Sequence, residues 1–168
     1  MMFGRRAPET QAAELRRDIG GDADTGIAPL DAVMTAAAGR PVILFDGVCV
    51  LCSGLVRFVI RHDPQGLYAF AAVQSPAGRA LLRAYGMPLT DWETNVLVRD
   101  GRIFVKSRAF LEIMAGLGGP WALLRLGRAL PRRPPDRLYD VIARNRYRWF
   151  GQRDACMVPD PGIRQRFL

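Results

Sequence analysis

Val42-Ile43-Leu44-Phe45-Asp46-Gly47-Val48-Cys49-Val50-Leu51-Cys52 is the stretch on which the reading of this chain turns. Its first four residues form a continuous apolar run of the kind that fills a buried strand, and Asp46-Gly47 breaks the run as a turn. From Cys49 to His62 the apolar residues Leu51, Leu55, Phe58 and Val59 recur at intervals of three and four, until Pro64 and Gly66 stop the pattern. The stretch therefore predicts strand, tight turn and helix, with two cysteines spaced C-x-x-C in the first helical turn.

Downstream, Leu67 to Val73 predicts a second strand. Ser75-Pro76 reads as an N-cap followed by proline at the first helical position, opening a helix from Ala77 to Tyr85 that Gly86 closes. Thr94 to Arg99 and Arg102 to Val105 flank Asp100-Gly101, the strongest short hairpin signal, and Ser107 then caps a helix reaching about Leu117. A right-handed crossover makes the first two strands parallel, whereas the hairpin is antiparallel. The order β-α-β-α-β-β-α thus predicts an α/β domain built on a four-stranded mixed sheet with helices on both faces.

Trp121 to Leu130 and Arg137 to Arg146 read as two more amphipathic helices, separated by Pro131, Pro134 and Pro135, which add a C-terminal helical block. Trp121, Trp149, Tyr139, Tyr147 and Phe150 are expected to pack within it. Residues 1–40 hold Ala, Gly, Asp and Arg with only scattered large apolar side chains, too few to offset the entropy of ordering. The expected organisation is a disordered extension over 1–40, with room for one loose helix, and one folded domain over 41–168, including C-terminal helices over 121–168.

At 168 residues, 49% hydrophobic and 24% charged, the chain has the composition of one ordinary globular domain, which excludes a fibrous or wholly disordered protein. Three cysteines are too few for a disulfide-stapled secreted scaffold, so C-x-x-C in a reduced compartment means redox or metal chemistry. No apolar run approaches the roughly 18 residues of a membrane span, and the first residues lack the apolar region of a signal peptide. A cytoplasmic location is the expectation.

At a helix N-terminus, unpaired backbone N–H groups and the positive end of the helix dipole favour a thiolate over a thiol. That placement brings a cysteine pKa from about 8.5 into the range of roughly 3.5 to 7.5. Cys49, at the mouth of the turn, is the expected nucleophile, and Cys52, one turn inside, the resolving thiol. The alternative is a non-catalytic metal- or partner-binding module. A zinc half-site would need a second pair of donors, and only Cys156 and His62 remain to supply it. The redox reading needs no cofactor beyond the dithiol itself. It calls for a disulfide substrate, protein or small molecule, and for a thiol reductant.

Asp46 stands three residues before Cys49, where a carboxylate either accepts the proton leaving Cys52 or accepts backbone N–H bonds in the turn. Cys156 is either a third redox partner or a small buried hydrophobe. His62 falls at the far end of the helix, roughly 20 Å from Cys49 at 1.5 Å per residue, as a C-terminal cation rather than a base.

Phe45-Asp46-Gly47-Val48-Cys49-Val50-Leu51-Cys52 closely resembles the D-G-x-C-x-L-C signature of the DCC family of thiol-disulfide oxidoreductases. Asp100-Gly101 with Lys106-Ser107-Arg108-Ala109 is similar to that family's hairpin and following helix. Asn145-Arg146-Tyr147, Phe150-Gly151, Cys156 and Arg166-Phe167-Leu168 are similar to its C-terminal block. The resemblance covers about residues 41 to 168 and implies a thioredoxin-like domain with a redox-active cysteine pair. Where thioredoxin-like enzymes commonly place a cis-proline facing the cysteines, alignment puts Glu93. That departure points away from an extended peptide and toward a small or non-peptide thiol substrate.

Charge is unevenly spread. The net is −1 over residues 1–40, +2 over 41–120 and +7 over 121–168, where eleven arginines meet four acids. Arg144, Arg146, Arg148 and Arg153 interleave with Tyr147, Trp149 and Phe150, a pattern that can contact phosphates and stack on bases. No nucleic-acid-binding motif accompanies it, which disfavours nucleic acid; an anionic partner or a peripheral contact with an acidic membrane surface fits the excess better. A loop over Gly151 to Pro159 is expected to reach the C-x-x-C end of the sheet, with Arg148 and Arg153 stabilising a thiolate or attracting an anionic thiol such as glutathione.

Overall fold

A computed structural model describes residues 28–89, 94–129, 133–154 and 161–168. In chain order they form α1 (Leu30–Ala37), β1 (Val42–Phe45), α2 (Val50–His62), β2 (Ala69–Ala72), α3 (Pro76–Ala84), β3 (Val96–Arg99), β4 (Arg102–Val105) and α4 (Lys106–Gly116). A 3-10 segment (Gly119–Ala129), α5 (Arg133–Phe150) and a short 3-10 turn (Pro161–Arg166) complete the described elements.

The strands lie in the order β2-β1-β3-β4. β1 pairs parallel with β2, Val42 opposite Ala69, and antiparallel with β3, Val42 opposite Val98. Asp100 and Gly101 join β3 to β4 at φ of 52° and 66°, the left-handed values a tight two-residue hairpin demands. This mixed sheet with one parallel pair is the thioredoxin-like α/β architecture that the sequence predicts.

β1 is apolar throughout because it is covered on both sides. Side chains alternate along a strand, so Val42 and Leu44 pack with Ala71, Val96 and Val98 against α1 and α3, whereas Ile43 and Phe45 pack with Phe70 and Leu97 against α2 and α4. α3 lies so close to the sheet that a Cβ on Gly78 would stand 2.0 Å from the Ala72 carbonyl oxygen. Ser75 caps that helix as expected, its hydroxyl accepting from the Gly78 N–H at 3.0 Å.

Three expectations are corrected. Residues 28–40 are not part of a disordered extension: α1 buries Val33 and Ala37 against α3, and the Ala28 N–H donates to the Pro76 carbonyl at 3.2 Å. Small side chains suffice there because the partner surface is already formed. Residues 1–27 lie outside the described residues. Ser107 does not cap α4; the helix begins at Lys106, whose N–H donates to Thr94 Oγ1 at 2.9 Å, while the Ser107 hydroxyl donates to Asp136 on α5. Finally, of the segment expected as a helix from Trp121 to Leu130, residues 121–129 are wound as 3-10 turns against α4 and Leu130 lies outside the described residues, and α5 starts ahead of Pro134 and Pro135 rather than after them. In a first helical turn proline lacks only an N–H that has no helical partner anyway.

Candidate active site

β1 ends at Phe45, and the turn after it delivers Cys49 as the N-cap of α2. The Cys49 N–H donates to the Asp46 carbonyl at 3.3 Å, and Cys49 Sγ accepts the Cys52 N–H at 3.3 Å. A hydrogen bond from the Cys52 thiol is the largest influence on Cys49 and outweighs the opposing cost of burial, bringing its pKa from 9.0 to about 6. Cys52 moves the other way, pushed far up first by donating to Cys49 and then by burial. The two shifts together favour the negative charge on Cys49 and the proton on Cys52. The two are not joined by a disulfide.

Asp46 is buried and fully engaged. Its Oδ1 accepts from the Val48 N–H at 3.2 Å and from Gln74 Nε2 at 2.8 Å; its Oδ2 accepts from Arg146 at 3.3 Å and from the Tyr147 hydroxyl. Burial pushes the Asp46 carboxyl up, but the bonds from Tyr147, Gln74, Val48 and Arg146 together prevail and hold it below the usual carboxylate range. A carboxylate held this way is a weak base. Burial and the bond to Asp46 push Tyr147 up to about 12, so it remains a phenol and donates.

The accessibility of the two sulfurs reverses the expectation. Cys49, expected at the mouth of the turn, is 0% exposed. Gly151-Gln152-Arg153 runs antiparallel beside it: the Arg153 N–H donates to the Val48 carbonyl at 2.8 Å, and Gln152 bridges to Cys49. Cys52 instead lines a cavity of about 420 Å³ between α2, α4 and α5, together with Leu51 and Leu55 from its own helix and Phe110 and Leu111 from α4. Asp46 and Arg146 also line it.

Of the residues singled out from the sequence, Asp46, Cys49 and Cys52 meet, and Gly151 to Arg153 reaches them. His62 does not: its Nδ1 lies 2.8 Å from the Phe58 carbonyl, and its ring packs on Phe58 and Trp121 at the opposite end of α2. Among the described residues no three His, Cys, Asp or Glu side chains cluster as metal donors, and no helix is long and apolar enough to cross a membrane. Cys156 and Glu93 lie outside the described residues. Arg148 is exposed, and the arginine that reaches the site is Arg146. Trp149 and Phe150, expected to pack, are 54% and 46% exposed because the inward stripe of α5 ends at Arg146. Sequence reasoning missed Gln74, Arg146 and Tyr147 as site residues. The Asn145-Arg146-Tyr147 block of the family resemblance was the signal for the latter two; nothing local marks Gln74.

A four-stranded mixed sheet whose first crossover helix opens on a C-x-x-C pair defines a thioredoxin-like dithiol protein. The sequence profile of the DCC1-like thiol-disulfide oxidoreductase family matches residues 43–152, and the chain belongs to that family. It is 45% identical over 127 residues to the uncharacterized protein YuxK of Bacillus subtilis, covering 76% of this chain and 93% of that one. It is 42% identical over 118 residues to the DCC family protein At1g52590, chloroplastic, of Arabidopsis thaliana, covering 70% and 69% of the two chains. No solved structure matches it significantly.

Proposed function

We propose that this protein is a thiol-disulfide oxidoreductase in which Cys49 attacks and Cys52 resolves. The observation that carries the reading is the unequal pair at the start of α2, one sulfur held as thiolate by the other's proton and by a backbone N–H. Thiolate is the nucleophilic form, and its pKa of about 6 leaves it ionised yet still reactive at neutral pH.

The Cys49 thiolate forms a bond to one sulfur of a substrate disulfide, the substrate S–S bond breaks, and the first product leaves as a thiolate. Cys52 then gives up its proton to that leaving group or to water and attacks Cys49 Sγ. The second product thiolate departs, leaving a Cys49–Cys52 disulfide that an external thiol reductant restores to the dithiol. Reaching Cys49 requires the Gly151–Arg153 cover to part from Val48 and Val50, to which it is held by two backbone hydrogen bonds. The four bonds filling Asp46 favour a positioning role: it anchors Arg146 and Tyr147, and its charge favours keeping the proton on Cys52.

Trapping tests this in a Cys156→Ser background. Cys52→Ser should accumulate a mixed disulfide on Cys49, and Cys49→Ser should lose disulfide reduction altogether. Turnover surviving in Cys49→Ser, with the adduct on Cys52, would reverse the roles. A wild-type dithiol that reduces no test disulfide would end the redox reading.

A further inference from the structure

We infer that the cavity beside Cys52 is the substrate seat, and that it takes an elongated, uncharged, apolar small-molecule disulfide. The inference rests on the redox function proposed above and names its substrate class.

α5 turns one stripe into this cavity: Pro135, Leu138, Tyr139, Ile142, Ala143 and Arg146, spaced by three and four as one helical face. From the first to the last of these the helix rises roughly 16 Å at 1.5 Å per residue, so the space is long rather than round. Its ends differ. Leu138 is 64% and Phe110 40% exposed, whereas Cys52 and Arg146 are each 7% exposed. The cavity therefore has a wet outer mouth and a dry inner end where the redox sulfur sits. Its volume of about 420 Å³ falls within the range of small-molecule pockets, roughly 300 to 1,000 Å³.

Three of the polar side chains on the lining already bond within the protein, and this bears on the ligand's chemistry. The Tyr139 hydroxyl accepts from the Asn95 N–H at 2.8 Å, and Ser107 donates to Asp136. Arg146 donates to the Ala143 carbonyl at 2.9 Å and to Asp46 at 3.3 Å. A peptide backbone or a carboxylate entering here would be desolvated with little to replace its water, whereas methylene groups lose nothing. Glutathione, with its charges and amides, is thereby disfavoured. With an apolar arm along α5, the disulfide of the ligand lies at the Cys52 end. Once the Gly151–Arg153 cover has parted and freed Cys49, which lies beside Cys52 and is itself 0% exposed, Cys49 attacks it, one sulfur leaves, Cys52 closes the enzyme disulfide, and the bound arm departs as the second thiol. Two electrons pass from the dithiol to the ligand, and the Cys52 proton goes to a leaving thiolate.

The test uses the reduced full chain and neutral dimethyl, dibutyl and dihexyl disulfides, with glutathione disulfide and a leucine-rich peptide disulfide alongside. Each rate of oxidation is divided by that of free dithiothreitol with the same reagent. The ratio should rise by up to about fourfold per methylene that enters the cavity, the factor equivalent to ~0.8 kcal/mol, and should stay low for glutathione disulfide. Leu138→Glu, at an exposed position that tolerates a charge, should flatten the dependence on chain length, as should Ile142→Trp. Leu126→Glu, an exposed apolar position off the cavity, should keep it. A ratio independent of chain length, or unchanged in Leu138→Glu, overturns the substrate seat while leaving the redox function standing. A peptide disulfide as fast as the dihexyl reagent overturns the small-molecule class. If no reagent oxidises the pair faster than dithiothreitol, the redox function itself fails.

Discussion

The two ends of α2 are tied down by the same device and differ in what lies beside it. At the C-terminal end Asp63 accepts the N–H groups of Leu67 and Tyr68 at 2.9 and 3.1 Å and pairs with Arg166 at 2.5 Å. Arg166 further donates to the Tyr68 and Asp63 carbonyls and lies over the Phe70 ring. At the N-terminal end Asp46 pairs with Arg146, but this pair adjoins two thiols and lines a cavity. Both arginines come from the C-terminal block, about a hundred positions along the chain from their aspartates. One ion pair is an anchor; the other adjoins a thiol pair and adds to the electrostatics of Cys49. The contrast teaches that the basic C-terminal third is in part a structural clamp, whatever its surface arginines attract.

Breaking each pair separates the two roles. Arg166→Met and Arg146→Met should each cost about 3 to 5 kcal/mol in denaturant unfolding, because each strands a buried carboxylate. Only Arg146→Met should also move Cys49. It removes a positive charge that lowers that pKa and uncovers the Asp46 charge that raises it, so thiolate titration should shift upward. An identical Cys49 titration in both variants would erase the distinction between the two ends.

The next effect is on pH. Cys49 has its folded-state pKa depressed to about 6 from 9.0, so its ionisation contributes stability that is present above about pH 9 and lost as pH falls through about 6. Across that window the unfolded chain binds one more proton than the fold, and stability of the reduced protein should rise by at most about 1.4 kcal/mol per pH unit. Above the window Cys52, which stays protonated in the fold, takes stability back. Urea unfolding at several pH values, repeated on Cys49→Ser, checks this; the variant should lose the slope.

Smaller still is Tyr147→Phe. Losing the hydroxyl that Asp46 accepts should cost about 1 to 2 kcal/mol and raise the Asp46 pKa, moving the acid limb of the stability profile to higher pH. Trp149→Ser, at an exposed position of the same helix, should stay within about 0.5 kcal/mol of wild type by thermal unfolding.

What could be read from the sequence was what neighbours along the chain determine. Val42 to Phe45 with Asp46-Gly47 announced strand and turn, the apolar spacing after Cys49 announced α2, and Asp100-Gly101 announced the hairpin with its two left-handed residues. The parallel β1–β2 pair and the antiparallel β3–β4 pair were legible from the order of elements, whereas the β1–β3 pairing that joins them was not. What escaped was determined across the fold. α1 docks through Val33 and Ala37, whose burial depends on a partner surface formed by α3. Thr94 caps α4 from another element, displacing the cap expected from Ser107. Cys49 looked accessible because a helix mouth usually is; Gly151 to Arg153, a hundred residues later, covers it. Arg146 was one of several arginines with no periodicity to single it out for Asp46.

The central claim is that Cys49 is the thiolate of the pair. Ultraviolet thiolate absorbance of the reduced chain in a Cys156→Ser background measures this directly, because it does not depend on a reagent reaching a buried sulfur. One thiolate should titrate with a midpoint near pH 6 and vanish from that range in Cys49→Ser. Titration confined to the ordinary cysteine range near pH 8.5, or a curve unchanged by Cys49→Ser, would contradict the account.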